Sequence, residues 1–444
     1  MKLPTLGQML KIVYRPIASL KPDPKNARIH SEKQLKQIAK SIDAFGFNVP
    51  VLIDSQDNII AGHGRVEAGK RSSIAQVPTI RLEHLTDAQK RAFMLADNRL
   101  TENATWNDRL LGEQLKALSE VNLDFSLDAT GFEVAEIDLY IEGLSAPKEE
   151  EDPADAIPQS SAKPVSRIDD LWLLDRHRVL CASALDESSY QKLLPKKRAD
   201  FVFTDPPYNV PIEHHASGKG EVQHKNFVMA SGEMSEDEFI AFLTRSCELL
   251  ARYSCDGSLH FLCMDWRHIR ELLAAGTKAY SEFKNLCIWV KDRGGMGSLY
   301  RSQHELVFLF KNGTAPHRNN VQLGQFGRTR SNVWQYPSVN SFGRAGEEGN
   351  LLALHPTVKP VAMVSDAIFD CSARGDIVLD AFLGSGTTII AAERTGRICC
   401  GLELDPIYVD TAVRRWQNFT RRAAVHAESG LTFSEIEKER EHAK

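Results

Sequence analysis

The chain has 444 residues, 25% of them charged and 42% hydrophobic, with 8 cysteines and a formal net charge of −5 at pH 7. That length predicts two or three domains with material for a sizeable core, and the composition excludes a mostly disordered or fibrous chain. No run approaches the ~18 consecutive apolar residues that span a bilayer. The opening Met1-Lys2-Leu3-Pro4-Thr5-Leu6 lacks the apolar stretch and small-residue cleavage site of a secretory signal, so a cytoplasmic location is expected.

In chain order, Lys21 to Arg28 is polar, and a helix follows in which Leu35, Ile38, Ala39 and Ile42 recur at helical steps, with Gly46 where a C-terminal cap belongs. Val49 to Ile53 and Asn58 to Ala61 read as two strands about a turn, followed at once by Gly62-His63-Gly64-Arg65. From Thr86 to about Gly143 the pattern is mainly helical. Residues 148–166 carry acid, proline and serine with few apolar side chains, as in a solvated linker. They separate an N-terminal domain (1–147) from a C-terminal one (167–425), with a charged tail at 426–444.

The C-terminal part alternates apolar, β-branched runs with helical patterns. The strands are Arg178 to Cys181, Phe201 to Thr204, Ser258 to Met264, Leu286 to Val290, Leu306 to Phe310, Ile377 to Phe382 and Ile398 to Leu402. Helices fall at Glu236 to Leu250, Pro360 to Phe369 and Ile407 to Trp416. This is an α/β pattern: a parallel-rich sheet covered on both faces, with ligands expected at the carboxyl ends of its strands. The cysteines show no CxxC spacing and several lie inside the strands, so buried free thiols are expected rather than disulfides or a metal site.

Three segments carry chemistry. In Asp380-Ala381-Phe382-Leu383-Gly384-Ser385-Gly386-Thr387-Thr388 a strand runs into a Gly-x-Gly turn and a helix, and Glu403 ends the next strand, placed to meet a ribose diol. No third glycine follows, which disfavours a dinucleotide and favours a mononucleoside such as S-adenosylmethionine. In Thr204-Asp205-Pro206-Pro207-Tyr208-Asn209 two prolines fix a carboxylate and an aromatic ring at a strand's end. Leu354-His355-Pro356-Thr357-Val358-Lys359-Pro360 adds a hydroxyl and a cation at the head of a helix.

Together these segments resemble the DNA amino-methyltransferases that use S-adenosylmethionine, over about residues 167–420, and their order resembles the circularly permuted β class. The resemblance implies a doubly wound, Rossmann-like class I methyltransferase fold acting on double-stranded DNA. Asp205, Pro206, Pro207 and Tyr208 would be catalytic. Asp380, Phe382, Gly384, Gly386, Thr387 and Glu403 would hold the methyl donor, with Thr357 and Lys359 closing its pocket. Where the family often has Gly-Asp, this chain has Ala182-Ser183, so Ser183 would take the donor-adenine contact. Aspartate at the head of the tetrapeptide resembles the adenine-N6 enzymes. Cytosine-N4 methylation is the alternative within the class, and a ParB-like DNA-binding regulator with a non-catalytic methylase half is the alternative outside it.

Sequence readout is assigned to residues 312–350, where Arg318, Arg328, Arg330 and Arg344 stand among Phe326, Trp334, Tyr336 and Phe342. Lys284 to Arg344 carries nine basic and two acidic residues, so the acidic total hides a local basic stretch. Asn209 to Gly232 reads as a lid over the substrate, and Arg414, Arg415, Arg421 and Arg422 as a solvated helix face. The N-terminal part, over about residues 10–110, resembles the ParB/sulfiredoxin-like domain, an α+β fold in which Gly62, His63, Gly64 and Arg65 would form a phosphate site at a helix start. A second copy of the chain is allowed for as a partner; no membrane and no metal ion are expected.

Overall fold

A computed structural model describes residues 10–102, 106–121, 123–142, 144, 153–158, 163–209, 232–292, 294, 299–325, 328–337 and 358–442. The chain divides after Ala146 into two compact units.

The first unit comprises β1 (Ile12–Pro16), α1 (Glu32–Phe45), β2 (Val51–Ile53), β3 (Ile59–Ala61), α2 (His63–Arg71), β4 (Gln76–Arg81), α3 (Asp87–Glu102), α4 (Asp108–Glu120) and α5 (Val134–Glu142). Its sheet runs β1-β4-β2-β3. Ser31 caps α1 by accepting from the Gln34 N–H, and Gly46 ends it at φ 83°, a left-handed conformation that suits glycine. Buried Ile17, Leu20, Val51, Ile53, Ile59, Val66 and Val77 form the core. β1 and β4 were not expected from sequence, because Pro78 sits mid-strand in β4, paired opposite Tyr14, where a missing N–H argues against a strand.

The second unit holds β5 (Leu171–Leu174), β6 (His177–Cys181), α6 (Glu187–Leu193), β7 (Ala199–Thr204), α7 (Glu236–Arg252), β8 (Ser254–Met264), α8 (Ile269–Ala279), β9 (Glu282–Val290), β10 (His304–Lys311) and β11 (Val333–Gln335). It continues with α9 (Val361–Cys371), β12 (Ile377–Asp380), α10 (Thr387–Thr395), β13 (Ile398–Glu403), α11 (Pro406–Thr420), β14 (Val425–His426) and α12 (Phe433–His442). Ten strands form one sheet in the order β11-β9-β10-β8-β7-β12-β13-β6-β5-β14. The centre from β8 to β6 is parallel, and β10 is antiparallel to β8.

Burial on both faces explains the near-continuous apolar strands. Phe201 and Phe203 of β7 pack on one side with Val361, Ile368, Ile389, Trp416 and Phe433, while Val202 packs on the other with Tyr190, Leu249 and Leu250. From adjacent strands β7 and β12 the chain departs in opposite directions, to β8 and to β13. Such a reversal opens a crevice at the carboxyl ends, which are Thr204 and Asp380.

Two boundaries differ from expectation. Within the presumed solvated linker, Ala154 is buried in the core, the Asp155 side chain accepts from the Val361 N–H at 2.8 Å, and the Val165 and Ser166 N–H groups donate to Asp410. Acidic composition concealed that these groups cap and anchor the sheet's helices. Likewise the charged tail forms α12, whose Phe433 and Ile436 are buried and whose Arg440 donates to Asp170 at 3.1 Å. Two apolar residues at helical spacing outweigh a polar remainder. All eight cysteines are free, six of them buried.

Candidate active site

The turn after β7 presents Asp205 and Tyr208, and the turn after β12 lies beside it. Asp380 ties the two together. One of its carboxylate oxygens accepts from Thr204 Oγ1 at 2.8 Å and from the Phe382 N–H at 3.1 Å; the other accepts from Thr388 Oγ1 at 2.7 Å. Burial pushes its pKa up to about 6. Asp380 therefore shapes the turn from inside.

Gly384 and Gly386 take φ values of 53° and 85°, and a Cβ on Gly386 would stand 2.8 Å from the Ala412 Cβ of α11. Only glycine fits that close, left-handed start to α10. Glu403, ending β13, accepts from the Gly384 N–H at 2.8 Å and the Asp405 N–H at 2.9 Å, and burial pushes it up to about 7. Each oxygen keeps lone-pair capacity for a further donor. Ser183 lies just beyond β6, where its hydroxyl accepts from the Leu185 N–H, and the half-buried Phe382 meets Phe242 at 5.9 Å. A glycine cradle with a half-buried carboxylate at the neighbouring strand end fits a nucleoside bearing a ribose diol. Thr357 lies outside the described residues.

Thr387 introduces a residue that sequence reasoning misplaced. Arg415, assigned to a solvated face, is buried at 2% exposure; it donates to the Thr387 hydroxyl at 3.0 Å, the Ser385 carbonyl at 3.3 Å and the Ala154 carbonyl at 2.9 Å. Its neighbour Arg414 reaches Glu437 at 2.5 Å. The periodicity of α11, in which Val409, Ala412, Val413 and Trp416 are buried, is the signal that distinguishes the two arginines.

Around Asp205 lies a charge cluster. The Tyr208 hydroxyl donates to Asp205 Oδ1 at 2.5 Å, and the Lys359 ammonium bonds Asp205 Oδ2. Lys359 is also 3.0 Å from Glu305 Oε2, and Lys291 meets Glu305 Oε1 at 2.5 Å. Expected at the cofactor pocket, Lys359 instead has its cation on the Asp205 carboxylate and 5.6 Å from the centre of the Tyr208 ring. Burial raises Glu305, but Lys359 and Lys291 outweigh it and hold the carboxyl at about 2. Asp205 is raised by burial, with Lys359 opposing and Glu305 adding to the shift; Lys359 itself is raised, its two carboxylates overcoming the cost of burial. Glu305 went unremarked in sequence. Its signal is an acid at the head of the apolar run of β10, whose amino end lies beside the carboxyl end of β8 because the two strands are antiparallel.

The arginines assigned to DNA reading are placed differently. Arg328 lies 3.2 Å from both Asp366 and Asp370 of α9, and Arg330 lies 3.0 Å from Asp370. Trp334 is buried in the core, in β11 beside β9, and Tyr336 bonds Asp366. Acids from α9, distant in sequence, neutralise this part of the basic stretch. Arg318 is more open, at 45% exposure and 3.9 Å from Asp376, and Arg344 lies outside the described residues. Arg330→Ala is accordingly expected to destabilise the fold by about 1–3 kcal/mol, the cost of losing hydrogen bonds to two carboxylates that keep Arg328, as read by chemical denaturation. An unaltered unfolding midpoint would contradict the structural role.

In the first unit Gly62 starts α2 at φ 104°, His63 Nε2 accepts from the Asp23 N–H at 3.2 Å, and a Cβ on Gly64 would press on His30. Arg65 is half-buried on the same turn. Of the lid expected over Asn209 to Gly232, residues 210–231 lie outside the described residues. Among the described residues there is no cluster able to hold a metal ion and no helix long and apolar enough to cross a membrane.

Comparison with known proteins matches the DNA methylase family over residues 199–414, the ParB N-terminal domain over 4–99 and the ParB-methyltransferase HTH domain over 109–168. The chain carries a DNA methylase domain of the N6/N4 type and a ParB-like N-terminal domain. This methylase is 50% identical over 86 residues to the ParB-like nuclease domain-containing protein YnaK of Escherichia coli, covering 19% of this chain and 99% of that protein. It is 26% identical over 259 residues to the DNA adenine methyltransferase YhdJ of Escherichia coli, covering 50% of this chain and 78% of that one. Among solved structures it is similar to the M1.HpyAVI–SAM complex, with 22% identity, a TM-score of 0.37, and coverage of 53% of this chain and 98% of that one. The HTH match spans α4 and α5, which sequence reasoning read only as a helical extension.

Proposed function

We propose that this methylase transfers a methyl group from S-adenosylmethionine to the N6 amino group of an adenine flipped out of double-stranded DNA. The observation that carries the reading is the juxtaposition of Asp205-Pro206-Pro207-Tyr208 with the Gly384–Gly386 turn, joined through the Thr204–Asp380 hydrogen bond. The donor supplies an electrophilic methyl group; Gly384, Gly386, Glu403, Phe382 and Ser183 would hold it. An exocyclic amino group is a poor nucleophile because its lone pair is conjugated with the ring. Asp205 and the Pro206 carbonyl, accepting its two hydrogens, favour a pyramidal nitrogen and stabilise the positive charge that develops there. Tyr208 offers a face for the flipped base, which must leave the stack to be reached. Aspartate at the head of the tetrapeptide favours adenine over cytosine.

The test is incubation of the purified chain with labelled donor and unmethylated genomic DNA, followed by mass spectrometry of the digested nucleosides. N6-methyladenine is expected; N4-methylcytosine would move the target to the other base, and DNA binding with no transfer would leave a regulator.

Donor binding should also depend on pH. Glu403 titrates at about 7, and its two oxygens already accept backbone N–H groups, so a proton on it turns a donor toward a donor. If the ionised form holds the donor, its dissociation constant should rise about tenfold between pH 8 and pH 6, measured by equilibrium dialysis. Glu403→Gln should flatten the profile. Fold stability runs the other way: a carboxyl raised in the folded state from 4.5 binds its proton more tightly there, so its contribution falls as pH rises through 7.

A further inference from the structure

Both oxygens of Asp205 are taken: Tyr208 holds one and the Lys359 ammonium the other. The amino group of a target base needs one of those oxygens, and Lys359 occupies it as a cation, the charge type that the nitrogen itself acquires during methyl transfer. A buried ammonium cannot be set aside without another anion. Glu305 supplies one. It is 7% exposed, its Oε2 already lies 3.0 Å from Lys359, and its other oxygen is neutralised by Lys291 at 2.5 Å. Two carboxylates and two ammonium groups thus share one cluster, with Lys359 and Glu305 buried and Asp205 and Lys291 half-buried, and the charge balance is kept whichever carboxylate Lys359 favours.

We propose that Glu305 is a positioning residue for methyl transfer: it takes over the Lys359 ammonium as the target amino group reaches Asp205, so that Asp205 exchanges an internal cation for the substrate. Lys359 is then a placeholder that keeps Asp205 paired while no base is bound, and its release leaves the full negative charge of Asp205 facing the nitrogen as positive charge develops. The Tyr208 ring, over which Lys359 lies, is cleared by the same movement. This inference rests on the methyltransferase reading above.

The experiment compares full-length wild type, Glu305→Gln, Lys359→Met and the double variant in single-turnover methyl transfer to genomic DNA, with donor affinity measured in parallel. Glu305→Gln removes the alternative anion and keeps the shape. It should slow transfer by about 100-fold, in the range of losing one positioned charged group, with donor affinity unchanged. Adding Lys359→Met should restore at least about tenfold of that loss, because Asp205 is no longer blocked; a merely structural Glu305 would make the double variant worse than either single one. Should Glu305→Gln fail to fold, Glu305→Asp, which withdraws the carboxylate by one methylene, should slow transfer in the same direction. Wild-type rates in the folded Glu305 variant, or a double variant no faster than Glu305→Gln, overturn the proposal. No transfer by wild type would instead reject the methyltransferase reading itself.

Discussion

Asp205→Ala is expected to lower the single-turnover rate of methyl transfer by about 10²–10³-fold or more, the range for removing a group aimed at developing transition-state charge. The loss should fall on the chemical step. Asp205 follows Thr204, whose hydroxyl bonds Asp380 at the head of the Gly384–Gly386 turn, and that link survives the substitution. Donor affinity should therefore stay within about threefold, well under the 1.4 kcal/mol that a tenfold change would represent. Asp205→Asn keeps one acceptor oxygen without the charge, and should fall between alanine and wild type. The fold should tolerate the change, because Lys359 retains Glu305 at 3.0 Å. A folded Asp205→Ala protein with wild-type rates would remove this carboxylate from the reaction.

The parts of this methylase that were legible in its sequence are those in which local chemistry and fold coincide. Apolar runs on β7, β12 and β13 gave the parallel sheet, because strands buried on both faces need no polar alternation. Gly384, Gly386 and Glu403 were legible because a backbone turn and a strand end fix their relation within 19 residues of sequence. Contacts between distant segments were not. Arg328 and Arg330 stand in a polar, aromatic stretch that reads as a DNA-facing surface, yet Asp366 and Asp370, one helical turn apart on α9, hold them. Lys359 is expected at the donor pocket, whereas its contact with Asp205 spans 154 residues of sequence and has no local signature. Ala154 and Asp155 were hidden by the acidic composition around them, which is an average over residues with opposite roles.

Arg415→Ala is expected to give the largest loss of fold stability, with a loss of donor binding alongside it. Its guanidinium is buried and donates to the carbonyls of Ser385 and Ala154 and to the Thr387 hydroxyl. Truncation leaves three buried acceptors short of a donor, each costing about 1–3 kcal/mol where water cannot replace it, so a total loss of about 3–5 kcal/mol is expected once partial relaxation is allowed. Two of the three acceptors lie in the turn that would cradle the donor, so the turn loosens before the sheet does, and donor affinity should fall by at least about tenfold. Arg415→Lys keeps the charge but loses the planar fork that reaches separate acceptors, and should recover only part of the loss. Arg414→Ala is the matched control: the adjacent arginine makes a partly exposed pair with Glu437, of a kind contributing about 0–1 kcal/mol. Chemical denaturation and donor titration of the three variants separate the cases. If Arg414→Ala and Arg415→Ala proved equally mild, Arg415 would not be the clamp on the glycine turn. If Arg415→Ala lost stability but bound donor normally, the turn would hold its shape through Asp380 and Glu403 alone, and Arg415 would act only to fasten residues 153–155 to the sheet's helices.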